Sequence, residues 1–322
     1  MSKQSPDITV FIPVYNGELY IEDTINSIIN QTYDNFKILI VDDSSTDNSY
    51  EICQKYALSD SRITLLKKKN GGSAVRSLIF ALDHIDTKYM LYMSQDDILS
   101  LDLLENMYLT ASKTDADCIV PNMEWYFSNS TENKKMIFKT DSILSGKEAF
   151  RQSLYWDIHG FNLRKTKIMK SISINADNMY ADEYATRIYF LKSNKISFCD
   201  GIFYYRQDNE NAITKKFTPR QIDLIDSLIP LLDIVYEELP EKEFKKFVIH
   251  AYKQCIPFYK KIRNAQLSQE QKRELKQKVS FGCRSIINKS KEHNCLFIAT
   301  YLNFNFFMIQ IKNYIRDLKH LV

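Results

Sequence analysis

The chain has 322 residues, 44% hydrophobic and 26% charged, with no uncharged apolar run approaching about 18 residues, which excludes disorder, a collagen-like fibre and an ordinary spanning helix. Such a chain can bury the core of one large or two modest domains. The formal net charge of +3 hides an asymmetry: Glu241 to Val322 carries 17 Lys or Arg against 6 Asp or Glu, a basic tail on an acidic body that fits a polyanionic partner.

No secretory signal shows in Met1 to Val10, and six widely spaced cysteines without a Cys-x-x-Cys pair read as free thiols of a reducing cytoplasm. Short β-branched runs at Ile8 to Val14, Phe36 to Val41, Ile63 to Leu66, Tyr89 to Met93 and Cys118 to Pro121 predict five strands. Helical spacing of apolar residues over Glu18 to Asn30, Asp47 to Leu58 and Ser73 to His84 fills the gaps between them. This alternation predicts an α/β domain with an open, mostly parallel, Rossmann-like sheet, whose ligands sit beyond the carboxyl ends of the strands. Glu124 to Thr140 reads as a polar-tipped hairpin, and Ser145 with Glu148 as a capping box opening a helix. Tyr155 to Arg164 reads as a loop, Ala181 to Ser193 as a helix, and Lys195 to Tyr205 as one or two strands. From Thr218 the pattern is helical with breaks near Pro240, Ser268 and Ser290, so the domains expected are residues 1–217 and an all-helical 218–322.

The chemistry gathers at the strand ends. The first strand ends in Pro13-Val14-Tyr15-Asn16-Gly17 and the second in Val41-Asp42-Asp43-Ser44-Ser45-Thr46-Asp47, each running into a helix N-terminus that favours an anionic or polar ligand. Asp47 is placed to cap the second helix, whereas Asp42 and Asp43 repel unless a donor-rich ligand or cation meets them; a carboxylate there can accept from a pyrimidine ring N–H. Asn70-Gly71-Gly72-Ser73 opens a helix that presents Arg76 to a phosphate. The fourth strand runs into Ser94-Gln95-Asp96-Asp97, a short acidic turn suited to Mg²⁺ or Mn²⁺ that also binds phosphate oxygens. Asp97 is read as a loop residue outside the core. The five histidines lack metal-ligand spacing, and neither a nucleophile elbow nor a Walker-type loop is present.

In this order and spacing, these motifs resemble the family 2 glycosyltransferases of the GT-A fold, strongly over about residues 8 to 125 and more weakly to about 214. The resemblance implies an inverting transfer of a hexosyl or N-acetylhexosaminyl group from a nucleotide-diphosphate donor, UDP-linked, in surface polysaccharide or lipopolysaccharide synthesis. It implies that Pro13, Tyr15 and Asn16 line the uridine pocket, that Asp43 accepts from the uracil ring nitrogen, and that Arg76 lies near base or phosphates. Asp96 would contact the ribose and Asp97 would ligate a divalent metal, Mn²⁺ or Mg²⁺, with Ser94 replacing the first acid of the usual motif. The family's base opens a helix some 14 residues before an Ile that starts a strand. That spacing aligns Asp182 with the base, puts Ala181 where Glu is usual and leaves Glu183 as the alternative. Tyr205-Arg206-Gln207-Asp208-Asn209 and Ala212-Ile213-Thr214 resemble the segment that closes over the diphosphate, with Arg206 as a diphosphate contact and Asp208 near the place of a metal-binding His. His159 and Trp156 fall in the expected acceptor loop. A scaffold that binds nucleotide or glycan without turnover is the alternative.

For the tail, the basic helices and the aromatic stretch Cys295 to Ile311 fit an interfacial position or a small bundle. By analogy with enzymes that use lipid-linked acceptors, an anionic membrane surface is the expected partner, on the inner face of the plasma membrane; nucleic acid is not expected.

Overall fold

The computed structural model describes residues 5–130, 133–212 and 215–318, with side chains to 312. The described residues divide into two compact units, one within Met1–Asp177 and Ala181–Ala212, the other within Asn178–Tyr180 and Ile213–Val322.

The first unit opens with β1 (Ile8–Val14), α1 (Ile21–Ile29), β2 (Phe36–Asp42), α2 (Ser49–Ser59), β3 (Ile63–Lys67), α3 (Ala74–Leu82) and β4 (Tyr89–Tyr92). All seven residues of β1 are buried, as a central parallel strand covered on both faces requires. β3, β2, β1 and β4 lie side by side and parallel, so β1 is flanked by β2 and β4 where the chain reverses its direction of winding. Past β4 the sheet continues through β9, β6, β10 and β5. These are β5 (Ile98–Leu99), β6 (Cys118–Tyr126), β7 (Lys135–Met136), β8 (Ile143–Ser145), β9 (Leu163–Lys165) and β10 (Lys195–Arg206), joined by α4 (Leu103–Thr114), α5 (Gly146–Ser153), α6 (Thr166–Lys170) and α7 (Ala181–Lys192). The mostly parallel sheet and the helical C-terminal region agree with the sequence reading.

Three local features position the site. Odd residues of β1 face β4, since Phe11 accepts from Met93 N–H at 3.1 Å, and even ones face β2, since Val14 accepts from Asp43 N–H at 2.8 Å. Pro13, lacking an N–H, therefore turns a donorless main chain toward the side where β4 has already ended. β9, antiparallel between β4 and β6, corrects the expected loop at residues 155–164. Its three residues include Arg164 and Lys165, too short and too charged for a strand signal. β10 is one strand with a bulge: its register against β6 shifts between Phe198 and Ile202, opposite Pro121. The proline offers no ladder N–H there, and Gly201 supplies φ +94° for the bulge. β6 and β7 form the expected hairpin, with residues 131–132 of its tip outside the described set. Ser145 and Glu148 close the expected capping box.

The second unit begins with a 3₁₀ turn at Pro219–Ile222 and holds α8 (Asp223–Glu238), α9 (Glu241–Cys255), α10 (Pro257–Asn264), α11 (Gln269–Glu292) and α12 (Leu296–Leu318). The breaks at Pro240 and Ser268 occur as read; Ser268 and Gln271 form a capping box for α11. The break expected near Ser290 falls later, at His293–Cys295, with Asn294 at φ +60°. The Ser290 hydroxyl bonds Ile287 O at 2.7 Å and stays within the helix. Gly282 lets α11 approach α8 closely, because a Cβ there would lie 2.3 Å from Ile225 Cγ2. All six cysteines are buried thiols, and among the described residues no helix is long and apolar enough to cross a membrane.

Candidate active site

The β1–α1 and β2–α2 loops are sewn together by small polar side chains. Asn16, in the left-handed region at φ +50°, accepts Thr46 N–H on Oδ1 at 2.8 Å, and its own N–H donates to Ser45 Oγ at 3.1 Å. Gly17 N–H donates to Ser49 Oγ at 2.7 Å. Asp47 accepts from Ser49 N–H at 3.0 Å and from Glu18 N–H at 3.1 Å, but it lies one residue before the N-cap of α2, which is Asn48 and has no side-chain cap bond, so the expected capping by Asp47 is corrected. Pro13 is buried beneath this shelf, whereas Tyr15 and Asn16 are exposed on it.

The acidic turn after β4 is joined to the same shelf by Gln95. Its side-chain amide accepts Tyr15 N–H at 2.8 Å and donates to Tyr15 C=O at 3.1 Å, as a neighbouring strand would. On the other flank, Asp43 is nearly buried and its Oδ1 accepts Gly71 N–H at 2.8 Å and the Lys68 ammonium. Oδ2 accepts no hydrogen bond among the described residues. Arg76 is exposed at the first turn of α3, paired with Asp177. Thus Tyr15, Asn16, Asp43 and the acidic turn share one sheet edge.

Within that turn the two acids differ. Asp97, expected on a loop outside the core, is fully buried. One carboxylate oxygen accepts Arg206 N–H at 3.1 Å and the other Ser94 N–H at 3.3 Å. The turn folds back beneath its own residues, so its last acid closes the loop from inside. Burial, reinforced by the charge of Asp96, pushes the Asp97 carboxyl well above the usual range. Asp96 is only partly buried and accepts Asn209 Nδ2 at 2.7 Å. Burial raises its pKa, the Asn209 bond pulls it back, and the Asp208 charge adds to the rise.

Arg206 is an internal strut, its side chain 3% exposed. Nε donates to Asp96 C=O at 2.7 Å, Nη1 to Ser128 Oγ at 2.9 Å and Nη2 to Asp23 at 3.3 Å. The guanidinium also lies over the Tyr20 and Tyr126 rings. Asp208 Oδ2 accepts Ser128 N–H at 2.7 Å, while Oδ1 is buried, 3.5 Å from Arg206 Nη1, with no hydrogen bond among the described residues. Burial works against the ionised Asp208, but the Ser128 bonds and the Arg206 charge prevail and hold its pKa below the usual range. Among the described residues no group of three or more His, Cys, Asp or Glu could hold a metal. Asp96 and Asp208 nevertheless fit a divalent ion that takes its other ligands from phosphate: their charges repel, and one Asp208 oxygen is buried without a donor.

The first turn of α7 lies within electrostatic reach of two tyrosines that the acidic turn also influences. Glu183 pairs with Arg187 Nη1 at 2.6 Å, one turn along, whereas Asp182 has no ion pair among the described residues and accepts only Glu183 N–H, at 2.9 Å. Burial, and then the Glu183 charge, push Asp182 up to about 6, with Arg164 opposing. Two tyrosines mark the convergence. After burial, the Tyr92 hydroxyl is raised by the charges of Asp182, Asp97 and Asp96; that of Tyr205 is raised to about 12 by burial and then by Asp97, Asp96 and Glu183.

His159 is buried, with Nε2 2.9 Å from Pro121 O and Nδ1 accepting Phe161 N–H at 3.2 Å. Burial lowers its pKa to about 4, so it is a neutral packing residue. Trp156 is 40% exposed at φ +62°. Ile213 and Thr214, in the expected closing segment, lie outside the described residues. Sequence reasoning missed Lys68 and gave no role to Gln95 and Asn209, although both lie inside the motifs it singled out. The signal for Lys68 was that in a parallel pair the residue after β3 comes level with the residue after β2.

The glycosyl transferase family 2 model matches residues 9–179. The chain is 26% identical over 224 residues to glycosyltransferase GlyG of Streptococcus pneumoniae serotype 4, covering 65% of this chain and 74% of that protein. It is 28% identical over 242 residues to glycosyltransferase GlyA of the same organism, covering 69% of this chain but 33% of that protein. It is 38% identical over 105 residues to the minor teichoic acid biosynthesis protein GgaB of Bacillus subtilis, covering 31% of this chain and 11% of that protein. Among solved structures, S. aureus TarS 1-349 in complex with UDP-GlcNAc superposes with a TM-score of 0.69 at 16% identity, covering 97% of this chain and 92% of that one.

Proposed function

The chain belongs to glycosyl transferase family 2, and from that premise we propose that it moves a sugar, with inversion, from a UDP-linked donor to a glycan or lipid-linked glycan in surface-polysaccharide assembly. The observation that carries this reading is that acids of α7's first turn and of the acidic turn act electrostatically on the same two tyrosines, Tyr92 and Tyr205, beside the sheet edge that holds Tyr15 and Asp43. A UDP donor is supported by TarS, solved with UDP-GlcNAc, and by the free oxygen of the buried Asp43, suited to a uracil N–H. The surface-polysaccharide context is supported by the likeness to the minor teichoic acid biosynthesis protein GgaB.

In this mechanism Pro13, Tyr15 and Asn16 line the base pocket and Arg76 lies near base or phosphates. Asp96 and Asp208 would hold a divalent cation, Mn²⁺ or Mg²⁺, whose charge would offset that of the leaving diphosphate. We assign the ligand to Asp96 rather than Asp97, because both oxygens of Asp97 already hold main-chain N–H groups. Arg206 positions the acidic turn and Asp208 from below instead of touching phosphate. Asp182 takes the proton of the acceptor hydroxyl as that oxygen attacks the anomeric carbon and the bond to the diphosphate breaks. Glu183, held by Arg187, is turned to another task. We place the enzyme in the cytoplasm, with exposed lysines of α9 and α10 such as Lys242, Lys253 and Lys260 drawing it to an anionic membrane surface.

The deciding experiment is a screen of UDP-sugars with Mn²⁺, reading hydrolysis and transfer by mass spectrometry. UDP binding without turnover of any nucleotide sugar, with acceptor glycans present, would make the chain a binding scaffold.

A further inference from the structure

We propose that the outward face of α12 is a self-association surface that pairs with the same face of a second copy of this chain. The inward face of the helix is accounted for: Ile298, Ala299, Leu302 and Phe306 are buried within the helical unit. The opposite face bears Leu296, Phe297, Tyr301, Phe304, Phe307 and Met308 in the open, Phe297 at 88% and Phe304 at 63% exposure. A helix apolar all round is normally buried all round, and here one side is covered.

Periodicity identifies the occupant. Phe297, Tyr301, Phe304 and Met308 recur at alternating steps of four and three, and the sequence continues the pattern to Ile311. That is the heptad spacing of one helix seated along another. Leu296 to Ile311 contains no charged residue, so two identical stripes meet without repulsion. It also contains no Lys or Arg to reach a lipid headgroup, and the exposed polar groups beside the stripe are Thr300 and Asn303. The six exposed side chains offer roughly 700 Å² per copy, or about 1,400 Å² for a symmetric pair, within the range of stable interfaces. The same patch on both copies is what a two-fold dimer uses.

Sedimentation of the full chain up to about 100 μM tests the proposal. The wild type should approach twice the chain mass with rising concentration. Tyr301→Glu with Phe304→Glu should weaken the dimer by about 100-fold or more, with unchanged far-UV circular dichroism. If that pair fails to fold, Thr300→Glu, at an exposed polar site beside the stripe, should weaken it as well. A wild type that stays monomeric overturns the proposal, as does a folded variant set that dimerises normally. A monomer that floats with phosphatidylglycerol vesicles only when the stripe is intact also overturns it, since lipid is then the occupant. None of these readings depends on catalytic activity.

Discussion

Arg187 binds the carboxylate of Glu183 at 2.6 Å from one turn further along α7. That pair separates two adjacent acids that a sequence cannot tell apart, because neighbouring helix positions point about 100° from each other. Glu183 is neutralised in place, and Asp182 keeps an unpaired carboxylate with a raised pKa.

Asp182→Asn is therefore expected to lose transfer by about 10²-fold or more while binding UDP and metal normally. Glu183→Gln should cost transfer less than tenfold, its main effect falling on stability, because the buried Arg187 loses its ion-pair partner. Initial rates with donor and acceptor, alongside UDP titration, measure both. Transfer abolished by Glu183→Gln and spared by Asp182→Asn would move the base by one residue.

The pH profile follows with its sign. A base accepts a proton only when ionised, so kcat/KM should rise with pH, bend near 6 and flatten above, if Asp182 sits at about 6 in the free enzyme. Asp182→Asn should remove the bend. A wild-type profile flat down to about pH 4.5 would be incompatible with this assignment.

The two acids of the turn should separate in calorimetry. Asp96→Ala should abolish the Mn²⁺-dependent part of UDP binding with little change in stability. Asp97→Ala leaves a buried N–H of Arg206 and a part-buried N–H of Ser94 without an acceptor, and should cost about 1–3 kcal/mol in denaturant unfolding. A stable Asp97→Ala protein that has lost its Mn²⁺ response would restore the metal to Asp97.

Gly201→Ala should destabilise the first unit by more than about 1 kcal/mol, because φ is +94° and the new Cβ would lie 2.9 Å from Leu103 Cδ1. Thermal unfolding reads the change. An unaltered midpoint would mean that the bulge relaxes without cost.

Anionic vesicles should bind the protein less as salt rises, and Lys242→Glu, Lys253→Glu and Lys260→Glu together should reduce that binding further. Equal partition onto neutral and anionic vesicles would remove the electrostatic role of these lysines.

The centre of the parallel half was legible because β1 and β2 are seven residues long, almost wholly buried and mostly apolar. So were the shelf residues, which sit at strand ends where short motifs concentrate. β9 was illegible because three residues bearing two cations acquire strand geometry only from the strands on either side. The burial of Asp97 was illegible for a related reason: its donors come from Ser94, three residues back, and from Arg206, more than 100 residues away. Spacing identified the acids, but only long-range pairing assigned each its partner.

Pro13 marks where β1 stops pairing with β4. Its main chain has no hydrogen to offer on that side, and just past it a side chain, Gln95, takes over the pairing at Tyr15. The link between the β1–α1 loop and the acidic turn therefore rests on one residue, which evolution can exchange without rebuilding the sheet.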